Sequence, residues 1–427
     1  MLSLVRSLRE RASLKAAAEQ RAADDGTPPP EAGLLNNTTW LIGSRLVVAG
    51  LGWGGTVLIA RDLDLEGFGR FTLIFAVLGL MSIVTDMGIG RIALSGMLDD
   101  PDGDPGGFAG AYIVLRTVMG LVGYGLVMLI VMLLGYPSEV VQATAVAAIV
   151  IVLATPSSAL EVVFQSRMRM GVVGVAGVTG QVAQFALTAA IAASGGGTVL
   201  YFTIPAVLAE IVILAWKIPA ARKLMRIRLR VDLRVWKRLL VEAIPLTLGI
   251  GLATLYYRVD SVMLSKLDTF DAVGIYGVSY KFIDIVHFAG TAVTIPLLTL
   301  LVRAWPDDTE EFRSVMRRGA MIVGLLGGGA VVGLVGFAAP LTTALYGADY
   351  AVGEHATRVL VVAEFLALYS TLGLTCLIAM SRHRVYPVVM LVGLSLNVGA
   401  NLVLIPRYSY EGAAAATLGS EILVVAV

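Results

Sequence analysis

Forty consecutive residues, 170–209, carry no charged side chain, and two further runs, 117–138 and 140–160, are also uncharged. A helix that crosses a bilayer needs ~20 predominantly apolar residues. The longest run is therefore two spans, divided by the Ser-Gly-Gly-Gly stretch at 194–197. Extending the search predicts twelve spans near 38–60, 69–93, 108–134, 139–163, 171–193, 198–216, 240–264, 273–301, 318–345, 355–380, 385–405 and 410–427, the last running into the final residue. The fold class is an all-α polytopic membrane protein. Composition agrees: 57% of residues are hydrophobic and 15% charged, where soluble domains carry about 25% charged residues. A soluble enzyme, a disordered chain and a nucleic-acid partner are thereby excluded. Cys376 is the sole cysteine, which excludes a disulfide framework or cysteine metal site. His287, His355 and His383 lack metal-ligand spacing, so neither metal nor cofactor is expected. The 47 glycines suit close helix packing in lipid.

Lys and Arg give the orientation, because they concentrate in cytoplasmic loops. With the N-terminus inside, the inner segments hold 23 of them and the outer loops four: Arg61, Arg70, Lys266 and Arg407. Both termini are then cytoplasmic. The tail 1–33 has no signal-peptide core. Up to Arg21 it is either a basic amphipathic helix on the anionic membrane surface, with Leu4, Leu8 and Ala12 on one side, or an unstructured tail. The acidic run 99–104 falls inside and lacks the closing Glu of a calcium loop.

Two stretches repeat. Gln-Ser-Arg-Met-Arg at 165–169 is similar to Met-Ser-Arg-His-Arg at 380–384, each followed by a helix with amides, Gln181 and Gln184 or Asn397 and Asn401. LDLEGFGRF at 63–71 is similar to LDTFDAVGIY at 267–276. The chain thus divides into a tail (1–37), a first six-helix lobe (38–216), a basic linker (217–239) and a second six-helix lobe (240–427). An even number of spans per lobe relates the halves by an axis along the membrane normal. Leu224, Ile227, Leu229 and Leu233 among the linker charges predict an amphipathic interfacial helix. Two such lobes with a cleft between them are transporter architecture.

A charge inside a span costs roughly 2.5–3.5 kcal/mol on insertion scales and so needs a partner or an aqueous cavity. At ~1.5 Å per residue, Arg45, Asp86 and Arg116 lie at one depth near the inner face. Arg258 and Lys281 lie at one depth near the outer face, with Asp260, Asp284, His287, Glu364 and Arg358. Lys281, Asp284 and His287 share a helix face. Arg258 and Asp260, two apart, point to different sides, so Asp260 must pair across helices. Two readings follow. Either Arg45, Arg116, Arg258 and Lys281 form an anion path, Arg being suited to phosphate through its planar fork, or each cation is neutralised by an Asp and only packs helices. Arg116 also lies near enough to an interface to snorkel. Glu161, Glu210 and Glu242 near inner span ends read as solvated or structurally paired, and Tyr256, Tyr257, Tyr276 and Tyr280 as sugar-stacking rings or an interfacial belt.

The stretch 401–421 (NLVLIPRYSYEGAAAATLGSE), with YRVDSVML at 257–264, VGIYGVSYK at 273–281, ARDL and GFG in 60–69 and DMGI at 86–89, resembles the oligosaccharide-lipid flippase branch of the MOP (multidrug/oligosaccharidyl-lipid/polysaccharide) superfamily. The resemblance runs through most of the chain. It implies a MATE-like fold of two lobes working by alternating access, sometimes with extra C-terminal helices. It implies a polyprenyl-diphosphate-linked glycan as substrate, moved from the inner to the outer leaflet of a bacterial plasma membrane for cell-surface polysaccharide assembly. Arg45 and Arg258 match its diphosphate-holding positions best. Membrane lipids, H+ or Na+, and polysaccharide polymerase machinery are the other implied partners, and no enzymatic activity is implied. No GxxxxGK[ST] is present, so an ion gradient, the membrane potential or the substrate gradient supplies the energy, with Asp260, Asp284, His287 and Glu364 as candidate coupling or charge-pair residues. Three other readings stand beside it. One is a cation-coupled multidrug antiporter of the same superfamily. The others are a membrane glycosyltransferase or polymerase, against which the short outer loops count, and a non-catalytic subunit of a cell-envelope complex.

Overall fold

The computed structural model describes residues 30–98, 104–380, 382 and 385–426. The surface-helix reading of the tail, most of the acidic run, and Ser381, His383 and Arg384 of the second basic turn lie outside the described residues. Among the described residues the regular structure is helical: α1 (Pro30–Asp62), α2 (Leu65–Leu80), α3 (Ser82–Thr85), α4 (Ile89–Leu98), α5 (Pro105–Leu133), α6 (Ser138–Ala147), α7 (Ile149–Ser166), α8 (Gly171–Ala193), α9 (Val199–Leu224), α10 (Leu233–Leu267), α11 (Phe270–Ala304), α12 (Thr309–Tyr346), a short 3-10 turn (Ala348–Gly353), α13 (Glu354–Ala379) and α14 (Tyr386–Ala426). Among the described residues nine helical stretches are long and apolar enough to cross a bilayer, or ten when the halves of α10, bent by 51°, count as one span. The other expected spans are α11 and the second half of α14 beyond non-helical Ser409 (φ 55°).

Side-chain caps set the helix starts. Asp64 accepts from Gly67 N, Asp104 from Gly107 N, Thr198 from Tyr201 N, Asp232 from Val235 N, Thr269 from Ala272 N and Asp308 from Glu311 N. Each satisfies an amide that has no partner in the first helical turn. Asp104, the last residue of the acidic run, therefore caps α5, and it also pairs with Arg228 at 3.7 Å and Arg230 at 3.6 Å.

The second span is not straight. It breaks after Thr85, where Met87 (φ 46°) and Gly88 (φ 65°) take left-handed backbone conformations. Carbonyls freed by a break in the membrane need new donors. Arg116 supplies them, donating to Thr85 O and, at 3.1 Å, to Asp86 O.

The linker corrects an expectation. No amphipathic helix forms across it. α9 continues to Leu224, the chain then runs outside regular structure to Asp232, and α10 begins at Leu233. A helix would leave the segment's amides paired to themselves; instead Arg228 N donates to Gly106 O at 3.1 Å. Gly106 and Gly110 of α5 bring the backbone of Arg226 and Arg228 against α5 where any side chain would collide. Arg226, Arg228 and Arg230 alternate with Ile227, Leu229 and Val231, the period of extended chain rather than helix.

The lobes meet at the Lys/Arg-poor end, termed outer below. The two copies of the 63–71/267–276 repeat begin α2 and α11, and these helices cross there backbone to backbone. A Cβ on Gly274 would lie 2.6 Å from Leu65 O, and one on Gly277 2.7 Å from Thr72 Cγ2. One apolar cluster runs through both lobes, joining Leu73, Val77, Val127 and Val140 to Leu264, Val273, Tyr276 and Ile405. Its rim is held by three of the four outer-loop cations. Arg61 donates to Leu345 O at 2.7 Å. Arg70 pairs with Glu66 and Glu139 and lies 5.5 Å from the Phe270 ring centroid. Lys266 sits 3.6 Å over the Tyr136 ring and donates to Leu134 O at 2.6 Å. Tyr136 is hydrogen-bonded to Ser265 at 2.7 Å, and burial pushes its phenol pKa up, which keeps the ring neutral. At the opposite end the first part of α10 packs into the first lobe: Leu239 and Ala243 are buried with Ile89, Ala93 and Phe164, and Trp236 Nε1 donates to Ala111 O at 2.9 Å.

The glycine contact carries a prediction. In a Cys376→Ser background, Gly274→Val is expected to raise labelling of a Thr72→Cys reporter by membrane-impermeant maleimide about tenfold, for about 1.4 kcal/mol lost from the closed state. Unchanged labelling would show that this crossing does not hold the outer end shut.

Candidate functional site

Two adjoining cavities of about 470 and 320 Å³ lie between the lobes. Both fall within the ~300–1,000 Å³ of small-molecule sites. Tyr257, Arg258, Tyr280 and Asp284 line both cavities. The first is completed by Ser82 of α3, Thr254 of α10, His287 of α11, Glu364 of α13 and Glu421 of α14. The second is completed by Thr56 of α1, Phe71 and Phe75 of α2, Gln181, Gln184 and Phe185 of α8, and Lys281 of α11.

Arg258 stands where the cavities meet. It reaches from α10 across to α2, where a Cβ on Gly79 would lie 3.4 Å from its Nε. Gly79 thus leaves space for the guanidinium. Among the described residues Arg258 has no ion-pair partner. Lys281 and Asp284, one turn apart on α11 as the spacing predicts, are 3.6 Å apart. His287 Nδ1 lies 2.8 Å from Glu364 Oε1, with the Glu364 side chain only 6% exposed. Glu421 is buried on α14 and accepts from Ser370 Oγ at 3.4 Å.

Asp260 does pair across helices, but not with a cation. Fully inside the second lobe, it accepts from Tyr276 OH at 2.9 Å, Thr417 Oγ1 at 2.8 Å and Asn401 Nδ2 at 2.8 Å. Asn401 also donates to Asn397 Oδ1 at 2.9 Å. Both amide-bearing positions of the repeat's second copy therefore serve this buried carboxylate.

The inner-depth group is dispersed rather than gathered. Arg116 is 3% exposed, and besides the carbonyls at the α3 break it meets Ser158 Oγ at 2.5 Å and Asp86 Oδ1 at 3.4 Å. Asp86 thus pairs with Arg116, and Arg45 is an exposed side chain of α1 that forms no ion pair with it. Neither Arg45 nor Arg116 lines the two cavities. Lys217, counted above with the inner-loop cations, is 4% exposed inside the first lobe, donating to Ser157 Oγ at 3.0 Å and Glu161 Oε1 at 2.8 Å. Arg116 and Lys217 grip the same turn of α7 from two sides, the turn carrying Pro156. Glu242 pairs with Arg238 at 3.1 Å. Arg358 pairs with Glu354 and donates to Val335 O at 3.0 Å, outside both cavities.

Sequence reasoning did not select Glu421, Gly79 and the amides of Gln181 and Gln184 as site residues. The amides carried a usable signal, being the polar pair of an otherwise uncharged span at i, i+3. Glu421 stood in a stretch read only for resemblance, and Gly79 acts through the space it leaves.

A multi-pass helical protein with two lobes locked at one end and a charged cavity between them has the architecture of the MOP superfamily. An inward-facing multidrug-resistance MATE-family transporter of that superfamily superposes with a TM-score of 0.76 at 12% identity, over 88% of this chain and 92% of its own. The lipid II flippase MurJ in an inward closed conformation gives 0.74 at 13% identity, over 90% and 86%. An outward-facing MATE-family transporter gives 0.63 at 14% identity, over 91% and 93%. No curated protein sequence matches. Residues 34–302 match the polysaccharide biosynthesis protein family, and the chain belongs to it.

The contrast between the two inner-depth arginines is testable. Arg116→Ala strands buried acceptors and is predicted to lower stability in detergent by about 3 kcal/mol. Arg45→Ala, on an exposed face, is predicted to stay within about 0.5 kcal/mol of wild type. Thermal unfolding of the purified variants measures both, and equal losses would contradict the assignment.

Proposed function

We propose that this protein flips a polyprenyl-diphosphate-linked oligosaccharide from the inner to the outer leaflet of a bacterial plasma membrane by alternating access, with its N-terminus cytoplasmic. The observation that carries the reading is Arg258 at the meeting point of two interlobe cavities with no ion-pair partner among the described residues. Arg suits a diphosphate because its guanidinium offers parallel donors to phosphate oxygens. Lys281 adds a second cation on the same side. Membership of a polysaccharide biosynthesis family and a fold shared with a lipid II flippase support the same class of cargo.

The diphosphate enters from the inner end, with Arg45 on α1 as a first contact, and settles against Arg258 and Lys281, while the polyprenyl tail stays in lipid. Arg116 takes no part in binding and holds the break in the second span. Rocking the lobes apart at the α2/α11 crossing opens the cavity outward. Movement of net charge couples to the membrane potential at ~2.3 kcal/mol per 100 mV. Asp260 with Asn401 and Thr417, and the His287–Glu364 pair, are the candidate H+ or Na+ sites. Handover to polysaccharide polymerase machinery would follow outside.

One observation favours a second reading. Asp284, Glu364 and Glu421 line the larger cavity, which suits a cation and hence a cation-coupled multidrug antiporter.

Leaflet-resolved labelling of diphosphate-linked glycans in depleted cells separates the two. The flippase reading predicts inner-leaflet accumulation, reversed by wild type and reversed at least about tenfold less by Arg258→Ala at equal expression, for one lost bidentate charge contact. A normal distribution of these glycans with altered resistance to cationic drugs would overturn it.

A further inference from the structure

The two cavities that meet at Arg258 differ in charge. Lys281 lines only the smaller, and Glu364 and Glu421 line only the larger. We infer that the diphosphate sits on the Lys281 side and that the lipid-proximal sugars enter the larger cavity, whose carboxyl groups select sugars with hydroxyl or amine donors and reject sugars bearing a carboxylate. This rests on the flippase reading above.

An anion held by Arg258 meets Lys281 together with Asp284 on the smaller side and three carboxyl groups, Asp284, Glu364 and Glu421, on the larger, so the smaller side has the more favourable charge balance for the diphosphate. The glycan leaving it on the other side meets Glu364, Glu421 and the hydroxyls of Thr254 and Thr417. Carboxyl oxygens accept hydrogen bonds from sugar hydroxyls, and more strongly from an ammonium. Glu421 has no cationic partner among the described residues, and Glu364 has only His287. A uronate placed there would add a carboxylate to the three that already line the cavity, Asp284, Glu364 and Glu421, of which only Asp284 has a lysine or arginine counter-ion among the described residues. Discrimination of this kind comes from like charges set against the wrong ligand rather than from extra contacts to the right one.

The test uses the full chain in nanodiscs and three probes: a short-chain polyprenyl diphosphate without sugar, its glucosyl-glucose derivative, and the derivative with glucuronic acid as the second sugar. Wild type is predicted to bind the glucose probe about tenfold tighter than the glucuronate probe, the penalty of one like-charge juxtaposition. Glu421→Gln, which removes one carboxylate at constant shape, is predicted to shrink that ratio. Its folding is checked by thermal unfolding, and the wild-type ratio stands on its own if the variant fails to fold. Equal or tighter binding of the glucuronate probe, or an unchanged ratio in folded Glu421→Gln, overturns the selection while leaving the flippase reading intact. Failure of wild type to bind any of the three, the sugar-free diphosphate included, overturns the flippase reading itself.

Discussion

A charge buried in a bilayer must find donors, acceptors or water, and this requirement sorts most of the charges predicted inside the spans. Arg116 and Lys217 find backbone carbonyls, hydroxyls and one carboxylate each, and they brace the first lobe where the second span breaks and where Pro156 interrupts α7. Asp260 finds two hydroxyls and an amide within the second lobe. Arg258, Lys281, Asp284, His287, Glu364 and Glu421 share the space between the lobes. The charges bonded within one lobe build the lobes, and those lining the interlobe cavities define the place where a polar cargo substitutes for water.

That space exists because α2 and α11 cannot separate at their outer ends in this state. Small residues let helix backbones approach closely, and Gly69, Gly274 and Gly277 bring the two helices together at the start of each lobe's repeat. The contact is made by corresponding segments, one per lobe, and so lies on the axis that relates the halves. Arg61, Arg70 and Lys266 close its rim, which gives outer-loop cations a structural task.

The helices were legible in the sequence because long uncharged runs leave few alternatives. The outer-depth group was legible in part: Arg258, Lys281, Asp284, His287 and Glu364 line the interlobe cavities, while Asp260 turns into the second lobe and Arg358 lies outside both cavities. Arg116 and Arg45 were not separable, since depth along a span says nothing of azimuth around it. The break after Thr85 was hidden because a left-handed Met87 has no compositional mark. The linker was misread through its charge content, when the alternation of Arg with Ile, Leu and Val in 226–231 already had the period of extended chain. Glu421 escaped notice because it stands near the chain's last residues, where depth cannot be counted from both ends.

The central claim is that a diphosphate-linked glycan crosses through the space closed by the α2/α11 contact. A Cβ on residue 277 would lie 3.2 Å from Thr72 Cβ, near the ~3.5–4.5 Å of a disulfide. Thr72→Cys with Gly277→Cys, in a Cys376→Ser background, should therefore lock the outer end. In proteoliposomes loaded with a labelled polyprenyl-diphosphate disaccharide, the account predicts that oxidation stops protein-dependent translocation and that reduction restores it. Translocation continuing at full rate in the oxidised, cross-linked protein would contradict it.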